Sequence, residues 1–338
     1  MRTVRTVAEL RGALLDARRS GGRVGLVPTM GALHEGHLSL MRLAREECDT
    51  VVVSLFVNPT QFNVASDLAA YPRDEGHDAA LVAEIGVDLL FAPPVQEVYP
   101  DGFATTVSVA GLTEVLEGAH RGRGHFDGVA TVVTKLFNMV GPQVAYFGQK
   151  DVQQVHVIRR LVADLDLPVS IRVCPIVREP DGLAMSSRNA RLAPDERVRA
   201  AALHRALQAA DACVISGERD PARVRQLALA ELDAAGVALE YFELVAPETL
   251  APVSAIDQPV LAVVAGRVGD VRLIDNQTLT TASGTPDRRE AQRRENNHAS
   301  RDAEVEDPPG HGHRLRPSLR RVDHDRSGAA GGSGHKGV

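Results

Sequence analysis

The chain has 338 residues, of which 44% are hydrophobic and 24% are charged, and its formal net charge is −6. This length and composition predict about two globular domains, and the charge gives no indication of nucleic acid or an anionic membrane as a partner. No apolar run approaches about 18 residues and the N-terminus has no apolar signal core, so we expect a cytoplasmic protein. Three scattered cysteines fit neither a disulfide framework nor a zinc pattern.

From residue 1 to about residue 177, strand-like apolar runs alternate with helix-like segments. This alternation predicts a parallel α/β sheet, whose ligands bind beyond the carboxyl ends of its strands. The predicted strands cover 24–28, 50–57, 87–93 and 143–148, and the predicted helices cover 38–48, 74–86 and 129–140.

The remainder of the chain divides at about residue 280. A helical stretch over 193–214 and three strand-like runs over 238–245, 259–269 and 271–279 predict a small α+β domain from 178 to 280. Of the 58 residues from 281 to 338, five are Val or Leu and none is aromatic. A segment of this composition cannot bury a core, so we expect a disordered tail.

The stretch "PTMGALHEGH" follows the first of these strands and leads into a helix. It places His34 and His37 at a helix N-terminus, where free backbone N–H groups attract anions, and Gly36 between them would let a ligand approach the backbone. This pattern indicates a phosphate site. A pair of surface histidines at a helix start is the alternative, and the spacing alone leaves both open.

Three further loops carry groups suited to phosphate or carboxylate. They are "NPTQF" with Gln61, "GQKDVQQ" with Lys150 and Asp151, and "MSSRN" with two hydroxyls and a guanidinium. Each also has an ordinary explanation. Gln61 could be a loop residue, Lys150 and Asp151 a solvated pair, Gln153 and Gln154 surface residues of a helix, and the "MSSRN" residues an N-cap or turn. Together, however, the loops favour one anion site. The chain has no Walker motif and no complete G-x-G-x-x-G, which disfavours a P-loop kinase or a dinucleotide enzyme.

These motifs occur together with "YPRD", "LEG…GHFDGV", "DGLAMSSRN" and "RLIDN", in one order over residues 1 to 280. The set closely resembles the pantothenate synthetase (pantoate–β-alanine ligase) family. The resemblance implies a Rossmann-like nucleotidyltransferase domain over 1–177, a C-terminal lid domain over 178–280 and a homodimer. It also implies a two-step reaction in which ATP and pantoate give a pantoyl adenylate, and β-alanine then displaces AMP to form pantothenate, with Mg²⁺ accompanying ATP.

The resemblance also implies roles for individual residues. His37 is expected to be the proton donor, and the other catalytic residues are expected to be His34, Lys150, Ser186, Ser187 and Arg188. The ATP site comprises Met30, Gly31, His34, His37, Gly148, Lys150, Asp151, Val177, Met185, Ser186, Ser187 and Arg188. Gln61 and Gln154 hold pantoate, and Gln61 also lies where β-alanine enters. No side chain is assigned as a metal ligand.

The chain departs from the family pattern in two places. "LEGAHRGRGHF" (116–126) is one residue longer than usual, so either Arg121 or Arg123 could replace the family arginine. From His298 onward, a reading frame shifted by one nucleotide permits a sequence resembling the start of aspartate 1-decarboxylase, so the tail could be an out-of-frame translation.

Two other functions remain compatible with the histidine motif. An adenylyltransferase would move AMP onto a phosphorylated acceptor and keep AMP in its product. A non-catalytic nucleotide-binding protein would bind ATP without turnover.

Overall fold

The computed structural model describes residues 1–62, 68–69 and 71–281. The predicted tail beyond residue 281 lies outside the described residues. The described residues lie within one compact unit, and its division into a catalytic and a lid domain stays a prediction.

The larger sheet has six parallel strands in the order β1-β4-β3-β2-β5-β6. From the central strand β2, the chain proceeds to β3 and β4 on one side and later to β5 and β6 on the other. The neighbours β2 and β5 therefore mark the point where the strand order reverses, which is where open α/β sheets bind ligands. The strands are β1 (Arg2–Val4), β2 (Val24–Thr29), β3 (Thr50–Leu55), β4 (Leu89–Phe91), β5 (Val144–Gly148) and β6 (Ser170–Cys174).

Helices cover both faces of this sheet, because its strands are apolar on both sides. The helices of this region are α1 (Val7–Ala13), α2 (Leu15–Arg19), α3 (Glu35–Glu47), α4 (Glu75–Glu84), α5 (Val95–Val98), α6 (Glu117–Arg121), α7 (Arg123–Val140) and α8 (Val152–Asp164). Short 3₁₀ helices cover Pro59–Gln61, Gln149–Asp151 and Ser187–Arg191.

A second sheet has three antiparallel strands, β7 (Ala238–Val245), β8 (Val260–Val268) and β9 (Val271–Leu279). One face packs on α10 (Ala202–Ile215) and α11 (Pro221–Ala234), and α9 (Pro194–Ala200) precedes them. The other face packs against Leu112, Leu116 and Val152 of the first region. The second sheet therefore lies next to the segment that follows β5.

The four predicted strands of the first region and the three of the second are confirmed, with different ends. Strands β1 and β6 were not predicted. The predicted helix over 193–214 is two helices, α9 and α10, which meet at Ala201. Helix α3 begins at Glu35, ahead of the apolar run that starts at residue 38, so His34 and His37 lie at its N-terminus as predicted.

Candidate active site

His34 is the N-cap of α3, and His37 is its third residue. The backbone N–H of His34 donates to Nδ1 of His37 over 3.4 Å, and the two ring centroids are 4.1 Å apart. Because Nδ1 of His37 accepts this bond, the neutral ring carries its proton on Nε2. His37, which lines the cleft described below, can therefore donate a hydrogen bond from Nε2.

Both imidazoles are neutral at pH 7. Burial, with a smaller contribution from the nearby His34, lowers the pKa of His37 to about 3. Burial and the charge of Lys150 lower the pKa of His34 to about 4. The histidines are therefore hydrogen-bonding groups in the free protein, and the fixed positive charge of the site comes from lysine and arginine.

Gly36 makes room for the ring of His34. A Cβ at this position would lie 2.9 Å from Cε1 and 3.0 Å from Nδ1 of that ring. The sequence predicted that Gly36 would let a ligand approach the backbone. In the structure, the ring of His34 occupies that space. The glycine of the motif thus fixes where the first histidine lies.

A cleft of about 580 Å³ opens at the carboxyl ends of β2, β3 and β5. Its apolar floor comes from α7, including Val129, Val132 and Leu136. Eight of the predicted site residues line it: Met30, His37, Gln61, Lys150, Asp151, Gln154, Ser187 and Arg188.

The other six predicted residues lie beside the cleft or in its supporting loops. Ser186 lines a small depression that also contacts Lys150 and Arg188, and its hydroxyl accepts the N–H of Arg188. Met185 donates its N–H to the carbonyl of Val177 over 2.9 Å. Gly31 and His34 belong to the loop after β2, and Gly148 ends β5.

Lys150 and Asp151 form a loose pair, with Nζ and Oδ2 3.8 Å apart. The lysine side chain is 17% exposed and the aspartate side chain 52%. A separation this long leaves the ammonium group able to bind an anion in the cleft. Asn276 of β9 holds the backbone of this loop by donating to the carbonyls of Gln149 and Lys150, each over 3.0 Å.

The second loop of the site is held by the residue before Asn276. Asp275 is 3% exposed and accepts two hydrogen bonds from Arg178, at 2.6 and 3.0 Å. Arg178 bridges to Ala184, immediately before the "MSSR" segment. Arg121, Arg188 and Arg272 all line the cleft, and burial and the charge of Arg121 lower the pKa of Arg188.

Gln61 is held in place by Asn58, which is 1% exposed. Asn58 donates to Oε1 of Gln61 over 3.1 Å and to the carbonyl of Gly128 on α7. The Nε2 of Gln61 lies 2.8 Å from the sulfur of Met30. Asn58 lies within the "NPTQF" motif but was not singled out from the sequence, because its partner on α7 is distant in the chain.

Gln153 does not lie on a helix surface, as one explanation of the sequence had it. It is 3% exposed, accepts the N–H of Glu117 and donates to the carbonyls of Leu112 and Val115, over 2.6 to 2.9 Å. Its role is to hold the turn that precedes α6. Gln153 and the neighbouring Gln154 both line the cleft, but the amide of Gln153 is bonded to that turn.

Glu117 joins α6 to the second sheet. Its carboxylate accepts hydrogen bonds from Arg272 on β9, from Tyr241 on β7 and from Arg121, over 2.6 to 2.9 Å. Burial would raise the pKa of Glu117, but the Arg272 hydrogen bond and the charge of Arg121 lower it to about 2.

The two arginines of the lengthened segment lie in different surroundings. Arg121 lines the cleft and has a side chain that is 22% exposed. Arg123 has a side chain that is 60% exposed, 3.8 Å from Glu114, and does not line the cleft. Of these two arginines, Arg121 is therefore the one that lies at the cleft.

The arrangement can bind a polyanion and hold a carboxylate beside it. Cations from Lys150 and Arg188 and the Nε2–H of His37, at a helix N-terminus, line one cleft together with the neutral amides of Gln61 and Gln154 and an apolar floor. In the part of the chain that the structure describes, no group of three or more His, Cys, Asp or Glu side chains could hold a metal ion. Among the same residues, no helix is long and apolar enough to span a membrane.

Comparisons with known proteins agree with this geometry. The family model described as pantoate-beta-alanine ligase matches residues 2–278. A pantothenate synthetase of Cereibacter sphaeroides is 54% identical over 273 residues, which cover 81% of this chain and 98% of the relative.

Two solved structures show the same fold. The pantothenate synthetase of Thermus thermophilus is 51% identical, with a TM-score of 0.78 over 82% of this chain and 99% of that one. The pantoate-beta-alanine ligase of Francisella tularensis, complexed with "Beta-gamma ATP" and β-alanine, is 34% identical, with a TM-score of 0.69 over 82% of this chain and 97% of that one. The chain thus belongs to the pantoate–β-alanine ligase family, and its activity is the ATP-dependent joining of pantoate to β-alanine through a new C–N bond.

Proposed function

We propose that the cleft carries out this ligation in two steps through a pantoyl adenylate. In the first step, a carboxylate oxygen of pantoate attacks the α-phosphorus of ATP, and pyrophosphate leaves. In the second step, the amine of β-alanine attacks the acyl carbon, AMP leaves with the bonding electrons, and the amine loses a proton. The products are pantothenate, AMP and pyrophosphate.

The first step joins a carboxylate to a polyanion, so it depends on position and on neutralising charge. His37 donates from Nε2 to the phosphate oxygens, and His34 supports it at the helix N-terminus. Lys150 and Arg188 balance the charge that develops on pyrophosphate, and Ser186 and Ser187 donate from the second loop.

The nucleotide and pantoate take opposite sides of the cleft. Met30, Gly31, Gly148, Val177 and Met185 surround the nucleoside, with Asp151 on its ribose or metal side. Gln61 and Gln154 hold pantoate over the apolar floor. Their neutral amides orient the carboxylate without neutralising it, so it stays nucleophilic.

Mg²⁺ enters this scheme together with ATP. The half-exposed carboxylate of Asp151 beside the cleft fits a cation whose other ligands are phosphate oxygens and water. When bound, the ion supplies charge neutralisation for the phosphates.

We also propose a homodimer and a cytoplasmic location. Strand β6 is an end strand of the six-stranded sheet, and unpaired edge strands favour association with a second chain. Use of ATP as a substrate fits the cytoplasm. Sedimentation that gives the mass of a single chain at micromolar concentration would exclude the dimer.

The observation that carries the mechanism is the position of His37, whose Nε2–H is free to donate in a cleft that also contains Lys150 and Arg188. The test is pantoate-dependent exchange of labelled pyrophosphate into ATP, with Mg²⁺ and without β-alanine, in the wild type, His37→Ala and His77→Ala. We expect exchange to fall about 10²–10⁴-fold in His37→Ala. His77, an exposed histidine of α4, is the control and should show wild-type exchange.

Two results would contradict the proposal. Exchange that does not require pantoate would exclude a pantoyl adenylate. Wild-type exchange in His37→Ala would show that His37 takes no part in the first step. Adding β-alanine and measuring free AMP then distinguishes a ligase from an adenylyltransferase, whose product retains AMP.

A further inference from the structure

Asp78 is a buried carboxylate that the mechanism does not use. It lies in the first turns of α4 and is 2% exposed. Within the described ranges no Lys, Arg or His forms an ion pair with it. Its partners are two backbone N–H groups, that of Ala32 at 2.9 Å from Oδ2 and that of Leu33 at 2.9 Å from Oδ1.

These two N–H groups belong to the turn that joins β2 to α3. The turn contains consecutive left-handed residues, Gly31 with φ +85° and Ala32 with φ +51°. The left-handed region suits glycine but is unfavourable for alanine because of its Cβ. A left-handed backbone at a residue other than glycine is stable only when neighbouring groups stabilise it. The two hydrogen bonds accepted by Asp78 do this for Ala32.

The turn is also closely packed on the carboxylate. A Cβ on Gly31 would lie 2.8 Å from Oδ2 of Asp78. Loss of the carboxylate would leave the buried N–H of Leu33 without its acceptor. The turn 31–33 and Asp78 therefore form one packed unit.

This unit determines where the nucleotide-binding groups lie. Met30, immediately before the turn, lines the cleft, and His34, immediately after it, caps α3 and donates to His37. Asp78 itself does not line the cleft. Its negative charge lies close enough to raise the pKa of Tyr71, a cleft residue, although burial is the main cause of that shift. A negative charge near bound phosphates weakens binding, so any benefit of Asp78 must come from geometry.

We propose that Asp78 is a positioning residue for ATP, acting through the turn 31–33 and not through contact with the nucleotide. The proposal rests on the assignment of this loop to ATP in the proposed function. It adds a residue of α4 to the determinants of nucleotide affinity.

The primary test is Asp78→Asn, measured by titration calorimetry with ATP and Mg²⁺ in the absence of pantoate. The asparagine amide keeps the shape, but it places an NH₂ group against one of the two backbone N–H groups. We expect ATP affinity to fall about tenfold or more, since a charge-assisted hydrogen bond is lost. The KM for ATP should rise while the KM for β-alanine stays within twofold. If Asp78 acted only through its negative charge, Asp78→Asn would strengthen ATP binding. An unchanged or tighter ATP affinity would therefore overturn the proposal.

Asp74 provides a matched control at the start of the same helix. It caps α4 by accepting the N–H of His77 over 3.0 Å, and it does not line the cleft. Asp74→Ala removes this cap and should lower the melting temperature without changing ATP affinity. If Asp74→Ala weakens ATP binding as much as Asp78→Asn does, the effect is general destabilisation and the proposal is wrong.

A rescue variant separates positioning from a merely structural role. Ala32→Gly removes the Cβ that opposes the left-handed backbone, so in the Asp78→Asn background it should restore ATP affinity at least threefold. Recovery of the melting temperature without recovery of ATP affinity would contradict the proposal. Gly31→Ala disturbs the same unit from the turn side and should also weaken ATP binding, which gives a second variant if Asp78→Asn fails to fold.

Failure of this proposal can be distinguished from failure of the proposed function. Pantoate-dependent exchange in the wild type, combined with unchanged ATP affinity in Asp78→Asn, would overturn this inference alone. Exchange that lacks any pantoate requirement would overturn the proposed function, whereas the calorimetric comparison of Asp78→Asn with Asp74→Ala would still decide the role of the turn.

Discussion

The hydrogen bonds that Glu117 accepts from Arg272, Arg121 and Tyr241 make a specific prediction about stability. Glu117→Gln keeps the shape of the side chain but removes its charge and one acceptor oxygen. Arg272 then loses one of its two carboxylate partners and keeps only Glu240, to which its Nε donates over 2.7 Å. Asp164→Asn is the control, because Asp164 pairs with Arg160 in a bridge whose two side chains are 50% and 62% exposed.

The size of the effect follows from the pKa of Glu117, which falls from 4.5 to about 2. At about 1.4 kcal/mol for each pH unit between these values, the folded state is stabilised by roughly 3 kcal/mol at pH 7. Removal of one partner of a buried ion pair generally lowers the free energy of unfolding by about 3–5 kcal/mol, which agrees with this value. The exposed pair of Asp164 should contribute less than about 1 kcal/mol.

The sign of the pH dependence is also fixed. As the pH falls, the carboxyl group takes up its proton in the unfolded chain first, so the stabilisation is complete above pH 4.5 and is lost toward pH 2. Urea unfolding of the wild type and Glu117→Gln should therefore differ by roughly 3 kcal/mol at pH 7 and by about 2 kcal/mol at pH 3.5. A difference below about 0.5 kcal/mol at pH 7, or one that does not change with pH, would refute the reasoning.

Three further predictions concern the cleft. Gly36→Ala should reduce pyrophosphate exchange about tenfold or more, because the new Cβ displaces the imidazole of His34. Gly76→Ala, at the same position of α4, should not, because its Cβ would meet only Oδ1 of Asp74 at 3.7 Å, an ordinary van der Waals contact. Gln153 and Gln154 both line the cleft, but the amide of Gln153 is bonded to the turn before α6, so Gln153→Met should destabilise the fold by about 1–3 kcal/mol in urea unfolding with the KM for pantoate unchanged. Gln154→Met should raise the KM for pantoate without destabilising the fold. The proton NMR signals of His37 should show it neutral from pH 8 down to pH 5, since its pKa is about 3, and titration near pH 6.5 would contradict this.

The sequence predicted those parts of the site that depend on local pattern. Buried parallel strands are continuous apolar runs, and their carboxyl ends meet at one edge, so four loops could be assigned to one site from the order of the motifs alone. Strand β1 has three residues and is recognisable only through its pairing with β4, 87 residues later. Strand β6 is an end strand, partly exposed and interrupted by Arg172, so it lacks a continuous apolar run.

The supporting residues could not be predicted, because their partners are distant in the chain. Gln153 and Gln154 are adjacent, chemically identical and both line the cleft, yet Gln153 is buried and bonded to a turn about 40 residues earlier, whereas Gln154 is partly exposed. Asp78 contacts a turn 45 residues before it. Nothing in the local sequence distinguishes such residues from surface residues, so only the tertiary structure reveals them.

The two adjacent residues Asp275 and Asn276 explain why the late "RLIDN" motif belongs with loops more than 80 residues earlier. Asp275 fixes Arg178 at the base of the loop that carries Ser186 to Arg188, and Asn276 fixes the carbonyls of the loop that carries Lys150. Both loops are therefore attached to one strand, β9, at consecutive positions. Since adenylation requires these cations at a set distance around one triphosphate, the second sheet does more than cover the cleft. It sets the separation of the two loops, and a change at either residue should therefore alter ATP affinity even though neither changes the charge of the phosphate-binding groups.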